Sequence, residues 1–141
     1  MKKILLAFLL ITTSLGFAQK KATLISSSAS INKFHTLNEL HHINKGELTT
    51  LYEERLKVLL ELLPYIGLAN QPNTSFKELG IPESNDNLNQ LNEQEKSRDK
   101  FRESVDKSLN IFIAYADTEN LKWAILFYED IIKKANLGNN F

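Results

Sequence analysis

Between Asn44 and Leu63, in "NKGELTTLYEERLKVLLELL", apolar residues recur every three or four positions. At about 100° per residue, Leu48, Leu51, Tyr52, Leu56, Leu59, Leu62 and Leu63 gather on one broad face, with Glu53, Glu54, Lys57 and Glu61 opposite, which predicts an amphipathic helix. Asn44 stands at its N-cap, and Glu47, three residues on, can close a capping box over it. Pro64 has no N–H to donate and disfavours helix at Leu63, so the helix ends or kinks there while "PYIGLA" carries the apolar path onward.

From Leu88 to Ala116 no proline or glycine interrupts the chain, and helix is the natural reading over about 43 Å of rise, against about 30 Å for the helix before it. Glu95 with Arg98, Asp99 with Arg102, and Glu103 with Lys107 set acid before base at helical spacing, each pair contributing about 0.2–0.5 kcal/mol. The apolar content is uneven. Every residue between Leu91 and Phe101 is polar, whereas Phe101, Val105, Leu109, Phe112 and Ala116 form a stripe. The first half is therefore expected to meet solvent or a polar partner, and the second half to enter the core.

The last helix is expected to start at Asp117 or Thr118 and to stop near Gly138, with Lys133 and Lys134 suited to its negative end. Leu121, Ala124, Ile125, Tyr128, Ile131, Ile132 and Ala135 form its core face. Trp123, Leu126 and Phe127 fall outside that face. Two readings are open for them: burial under the chain's own "SFKELGIP" segment, or a surface for a protein partner or a homodimer. That segment lies in a long connection over residues 70–87, where Ser75 and Glu78 stand at capping-box spacing and Gly80 supplies a stop, predicting one helical turn. With no strand-like alternation and no internal repeat, the fold class is all-α, a small antiparallel bundle of three main helices plus a short leading one.

The N-terminus changes where this bundle is expected to work. "MKKILLAFLLITTSLGFAQ" has a basic start, an apolar run from Ile4 to Ile11 and a small-x-small ending at Gly16–Ala18, the pattern of a secretory leader over residues 1–18. The apolar run is far short of the ~20 residues of a bilayer span, so no transmembrane segment is expected after cleavage, and the protein is expected to be periplasmic or extracellular. Residues 19–33 read as a Ser-rich arm of low order in which "ATLI" can dock, and 34–141 as a single helical domain. A mature chain of about 123 residues can bury roughly two-thirds of its unfolded surface, enough to fold unaided.

Composition removes several chemistries. The chain has no cysteine, which excludes disulfides, thiolate catalysis, cysteine-ligated zinc and a lipid-modified N-terminal cysteine. Lys+Arg and Asp+Glu number 17 each, and loss of Lys2 and Lys3 with the leader leaves an excess of two acids. Nothing there suits a nucleic acid, whose phosphates require concentrated positive charge. Nucleophile elbow, Gly-rich phosphate loop and HExxH are all missing, and the adjacent acids Glu53–Glu54 and Glu129–Asp130 point apart on their helices. The expectation is a protein that is not an enzyme and carries no cofactor.

Two places still invite chemistry. "FHTLNELHHINKGEL" holds all three histidines, and on one unbroken helix His35, Glu39 and His42 would share a face suited to a metal. Thr36 and Glu39, however, read as a capping box that leaves His35 outside the helix, and the adjacent pair His41 and His42 diverges by about 100°. On the resulting two short capped helices, His41 falls beside Leu37 and Leu40 as a hydrogen-bonded edge of the core. Arg55 is the other, a permanent cation in the middle of an apolar face. Burial would require a carboxylate, for which Asp106, Asp117 and Glu129 are available, and the alternatives are a snorkelling boundary arginine or an anion site. The sequence thus points to a protein-binding or structural module acting through the Trp123 face and the polar length of the third helix. The alternative is a small-ligand or metal-binding helical protein using Arg55 or the histidines.

Overall fold

A computed structural model describes residues 22–69 and 71–137, and the leader expected over 1–18 lies outside them. Among the described residues the chain is an all-α bundle without strands: α1 (Leu37–His41), α2 (Lys45–Leu62), a 3-10 turn at Leu63–Tyr65, α3 (Asn85–Phe112), a second 3-10 turn at Ile113–Tyr115, and α4 (Thr118–Leu137). The caps fix these boundaries. The Thr36 hydroxyl accepts from the Glu39 N–H while the Glu39 carboxylate accepts from the Thr36 N–H, a complete capping box that starts α1 at Leu37. At Asn44 only the forward half forms, the side chain accepting from the Glu47 N–H at 3.0 Å. Pro64 stands inside the first 3-10 turn, where its missing N–H costs no helical bond.

Helices α2 and α4 are the principal pair, and α3 lies on α2 through a much thinner contact. Their interior divides into three apolar groups. Leu40, Leu48, Leu121 and Ile125 close the end formed by α1 and the N-termini of α2 and α4. Val58, Leu59 and Ile132 fill the middle. The far end gathers Leu24, Ile25, Leu62, Tyr65, Phe76 and Leu91.

At that far end the "ATLI" stretch of the 19–33 arm docks on the domain, from Ala22 to Ile25. The Leu24 N–H donates to the Thr74 carbonyl at 3.0 Å, the Phe76 N–H to Ala22 at 3.1 Å and the Asn73 N–H to Ile25 at 2.9 Å, an antiparallel pairing. It buries Ile25 completely and Leu24 almost so. The partner segment is held in shape by its own caps. The Glu78 carboxylate accepts from the Ser75 N–H at 2.6 Å. At the other end of the turn the Ile81 N–H reaches the Phe76 carbonyl and the Gly80 N–H that of Lys77, the paired bonds of a Schellman stop. Gly80 occupies φ 68°, where a side chain would be strained. "SFKELG" is thus the predicted capped turn, but it covers the arm and the start of α3 rather than Trp123.

The expectation for α3 is inverted. Its fully buried residue is Leu91, in the polar half, because the arm and the 73–81 segment wrap that end of the helix. Farther along, Val105 and Leu109 are half-buried, while Phe101 is 55% and Phe112 65% exposed. The apolar face of α2 is already occupied by α4, so the second half of α3 has only an edge of it to pack on.

Candidate functional site

The most connected polar group in the bundle surrounds Arg55, which is 2% exposed. It faces Glu129 of α4, itself 1% exposed, with Nε donating to Glu129 Oε1 at 3.0 Å and Nη2 at 3.0 Å from the same oxygen. Nη2 also donates to the Lys33 carbonyl at 2.8 Å, and Nη1 to the Glu54 carboxylate. His35 completes the set. Its backbone N–H donates to Glu129 Oε2 at 2.5 Å, and its Nδ1 lies 2.8 Å from Oε1. A carboxylate only accepts, so Nδ1 carries the proton, and the 3.3 Å approach of Arg55 Nη2 to that atom is a close contact without a hydrogen bond. Of the three acids available to Arg55, the structure selects Glu129. Every guanidinium nitrogen is engaged by the protein, so the arrangement ties α2, α4 and the segment before α1 together.

The histidines and acids of the opening stretch are separated. His35 turns inward to Glu129, Glu39 is held by Thr36 and by Lys33 at 2.8 Å, and His42 is the exposed C-cap of α1. Among the described residues no group of three or more His, Asp or Glu side chains is placed to hold a metal ion. The Lys33 ion pair, and after it the hydrogen bonds from Thr36, pull the Glu39 carboxyl down to about 2. His41 is exposed rather than an edge of the core, and its Nδ1 lies 3.0 Å from Nζ of Lys122. Lys122 is a buried cation that the sequence reading missed, paired with Glu119 one turn before it on α4.

Outside this polar group lies a band of uncovered aromatic surface. Trp123 is 66% and Phe127 46% exposed, their rings stacked at 5.2 Å and 7°. Leu126 turns away and packs against the Leu40–Ile125 group. Trp123 and Ala124 face Tyr52, Leu109, Phe112 and Ala116 across an open cleft of about 380 Å³ between α2, α3 and α4. Tyr52, which lines the cleft, is in ring contact with Tyr128 at 5.5 Å, and the Tyr128 hydroxyl donates to Tyr52 at 3.4 Å. Burial, and then that hydrogen bond, push the Tyr128 hydroxyl above its ordinary range. Tyr52, Leu56 and Leu60 of α2 and Leu63 of the 3-10 turn after it follow one another at helical spacing, and none of them is fully buried. This incompletely covered stripe continues past the cleft to a groove of about 660 Å³ lined by Leu60, Pro64, Tyr65, Gln94 and Phe101.

A polar cavity of about 350 Å³ opens on the other side of α3, lined by the charged residues Glu61, Glu95, Arg98 and Asp99 together with Asn73, Thr23, Ser26 and Ser27. Two buried atoms in it, Glu61 Oε2 and Arg98 Nε, have no hydrogen-bond partner. Of the ion pairs read along α3, Asp99–Arg102 forms at 3.3 Å. No helix among the described residues is long and apolar enough to cross a membrane. No family model, no curated protein and no solved structure matches the chain.

Proposed function

We propose that this chain is an exported, periplasmic or extracellular helical module that binds another protein through the cleft between α2, α3 and α4. The observation that carries the reading is the stacked Trp123–Phe127 pair, left largely uncovered beside an apolar cleft instead of being folded under the 73–81 segment. Monomeric proteins seldom leave contiguous aromatic surface in water, and tryptophan and phenylalanine at the centre of a patch are the residues interfaces concentrate. The rigid pairing of α2 with α4 through Arg55 and Glu129 presents that patch with little ordering to be lost on binding.

The test is crosslinking and capture of the protein from its own envelope fraction, comparing the natural chain with a Trp123→Ala, Phe127→Ala double variant. A stoichiometric partner retained by the first and lost by the second is the expected result. An identical set of captured proteins for both would overturn the reading.

A small-ligand protein is the second reading, and the unpartnered Glu61 Oε2 and Arg98 Nε favour placing the ligand in the polar cavity rather than at Arg55. Such a ligand would offer a donor to the carboxylate and an acceptor to the guanidinium. Thermal shifts with amino acids and polyols, compared with those of Arg98→Gln, test it: stabilisation lost in the variant supports the reading, and no shift with any of them removes it.

A further inference from the structure

Eight exposed positions of α3 and its 3-10 extension follow one another at alternating spacings of four and three: Gln90, Gln94, Ser97, Phe101, Ser104, Ser108, Ile111 and Tyr115. That is a period of about 3.5 residues, the repeat that keeps one seam of a helix facing another helix along its whole length. None of the eight is charged. The charged side chains of the helix, including Glu93, Lys96, Lys100, Glu103 and Lys107, all fall off the seam. At its N-terminal end the seam borders the groove with Leu60, Pro64 and Tyr65, where Gln94 accepts from the Tyr65 hydroxyl, but Phe101 is 55%, Ile111 63% and Tyr115 87% exposed, so its second half is left largely uncovered.

We propose that the occupant of this seam is the same seam of a second copy, with the two α3 helices antiparallel across a two-fold axis near residue 106. The proposal rests on the contact-module reading above but uses a different face, α3 rather than the Trp123 cleft. In this register Phe101 lies over Ile111 of the second copy, Ser104 over Ser108, and Ser97 beside Tyr115. The large residues stand toward the ends, and the serines at the centre allow the backbones to approach closely. An uncharged seam can meet its own copy without like-charge repulsion, which a charged one could not. Area supports the same occupant. Phe101, Ile111 and Tyr115 expose on the order of 400 Å². The half-buried Leu60 and the serine and glutamine faces supply much of the remainder of the roughly 800 Å² per partner of a standard interface.

Because the natural chain has no cysteine, introduced thiols report this register cleanly. Mixing Ser104→Cys with Ser108→Cys protein under mild oxidation is expected to give the mixed disulfide dimer in high yield. The Asn92→Cys and Asn110→Cys pair, on the opposite flank, is expected to give little or no disulfide. Light scattering is expected to show a dimer that dissociates on dilution. Phe101→Lys with Ile111→Lys, both at exposed sites, should keep the helical circular dichroism and weaken the dimer roughly thirtyfold or more, the loss an interface hot spot carries. A wild-type chain that is monomeric at every concentration, a dimer untouched by the two lysines, or equal disulfide yields from both cysteine pairs would each overturn the proposal. A monomer that still captures a partner through Trp123 would overturn the second copy alone and leave the contact-module reading standing.

Discussion

At the scale of single residues, the interior is organised by one carboxylate. Glu129 receives Arg55 and both the backbone and the ring of His35, so a permanent cation is accommodated on the apolar face of α2. Removing one partner strands the other away from water, whereas replacing both with apolar groups removes the desolvation cost along with the attraction. Glu129→Leu alone is therefore expected to lower unfolding free energy by about 3–5 kcal/mol in urea titration, and Arg55→Met with Glu129→Leu to recover most of that loss. Glu39 gives a pH signature. Its folded carboxyl sits at about 2 against an ordinary 4.5, so its contribution is fully present above 4.5 and disappears as pH falls through about 2. Melting curves of the natural chain and Glu39→Gln should accordingly diverge above pH 4.5 and converge near pH 2. A constant offset across that window would show that the Lys33 and Thr36 contacts do not hold the charged form.

At the scale of elements, the helices were legible because each carries local instructions: Thr36 and Glu39, Asn44, Pro64, and Ser75 with Gly80 set boundaries through bonds to neighbours a few residues away. What was not legible depends on long-range competition. "ATLI" is too short to show period, yet it buries Leu24 and Ile25 because the 73–76 backbone offers it donors and acceptors. The stripe from Phe101 to Ala116 reads as core, yet α4 holds the face of α2 that it would need. Arg55 was legible as an anomaly and Glu129 as one of its possible partners. His35 was not, since its role depends on the chain folding back over α4. Ile25→Ala should cost about 2–5 kcal/mol in urea unfolding, as for a core residue. At dilutions where the chain is monomeric, Phe101→Ser should change stability by less than about 1 kcal/mol, because its ring is then largely in water. Equal losses from the two would mean that the arm and α3 are placed otherwise.

At the scale of the molecule, three helices enclose a core that is complete on the α2–α4 side and open toward α3. The openness has a definite composition, aromatic and aliphatic in the cleft, uncharged and of heptad period along α3, and polar in the cavity behind it. A chain that spends its only tryptophan in that opening offers a direct measurement of it. The fluorescence of Trp123 in the dilute, folded protein, with acrylamide as quencher, tests whether the chain leaves its aromatic cleft uncovered. The expected result is the red-lying emission and ready quenching of an indole in water, with a shift to the blue when a partner occupies the cleft. Blue-shifted emission protected from acrylamide in the dilute monomer would contradict it.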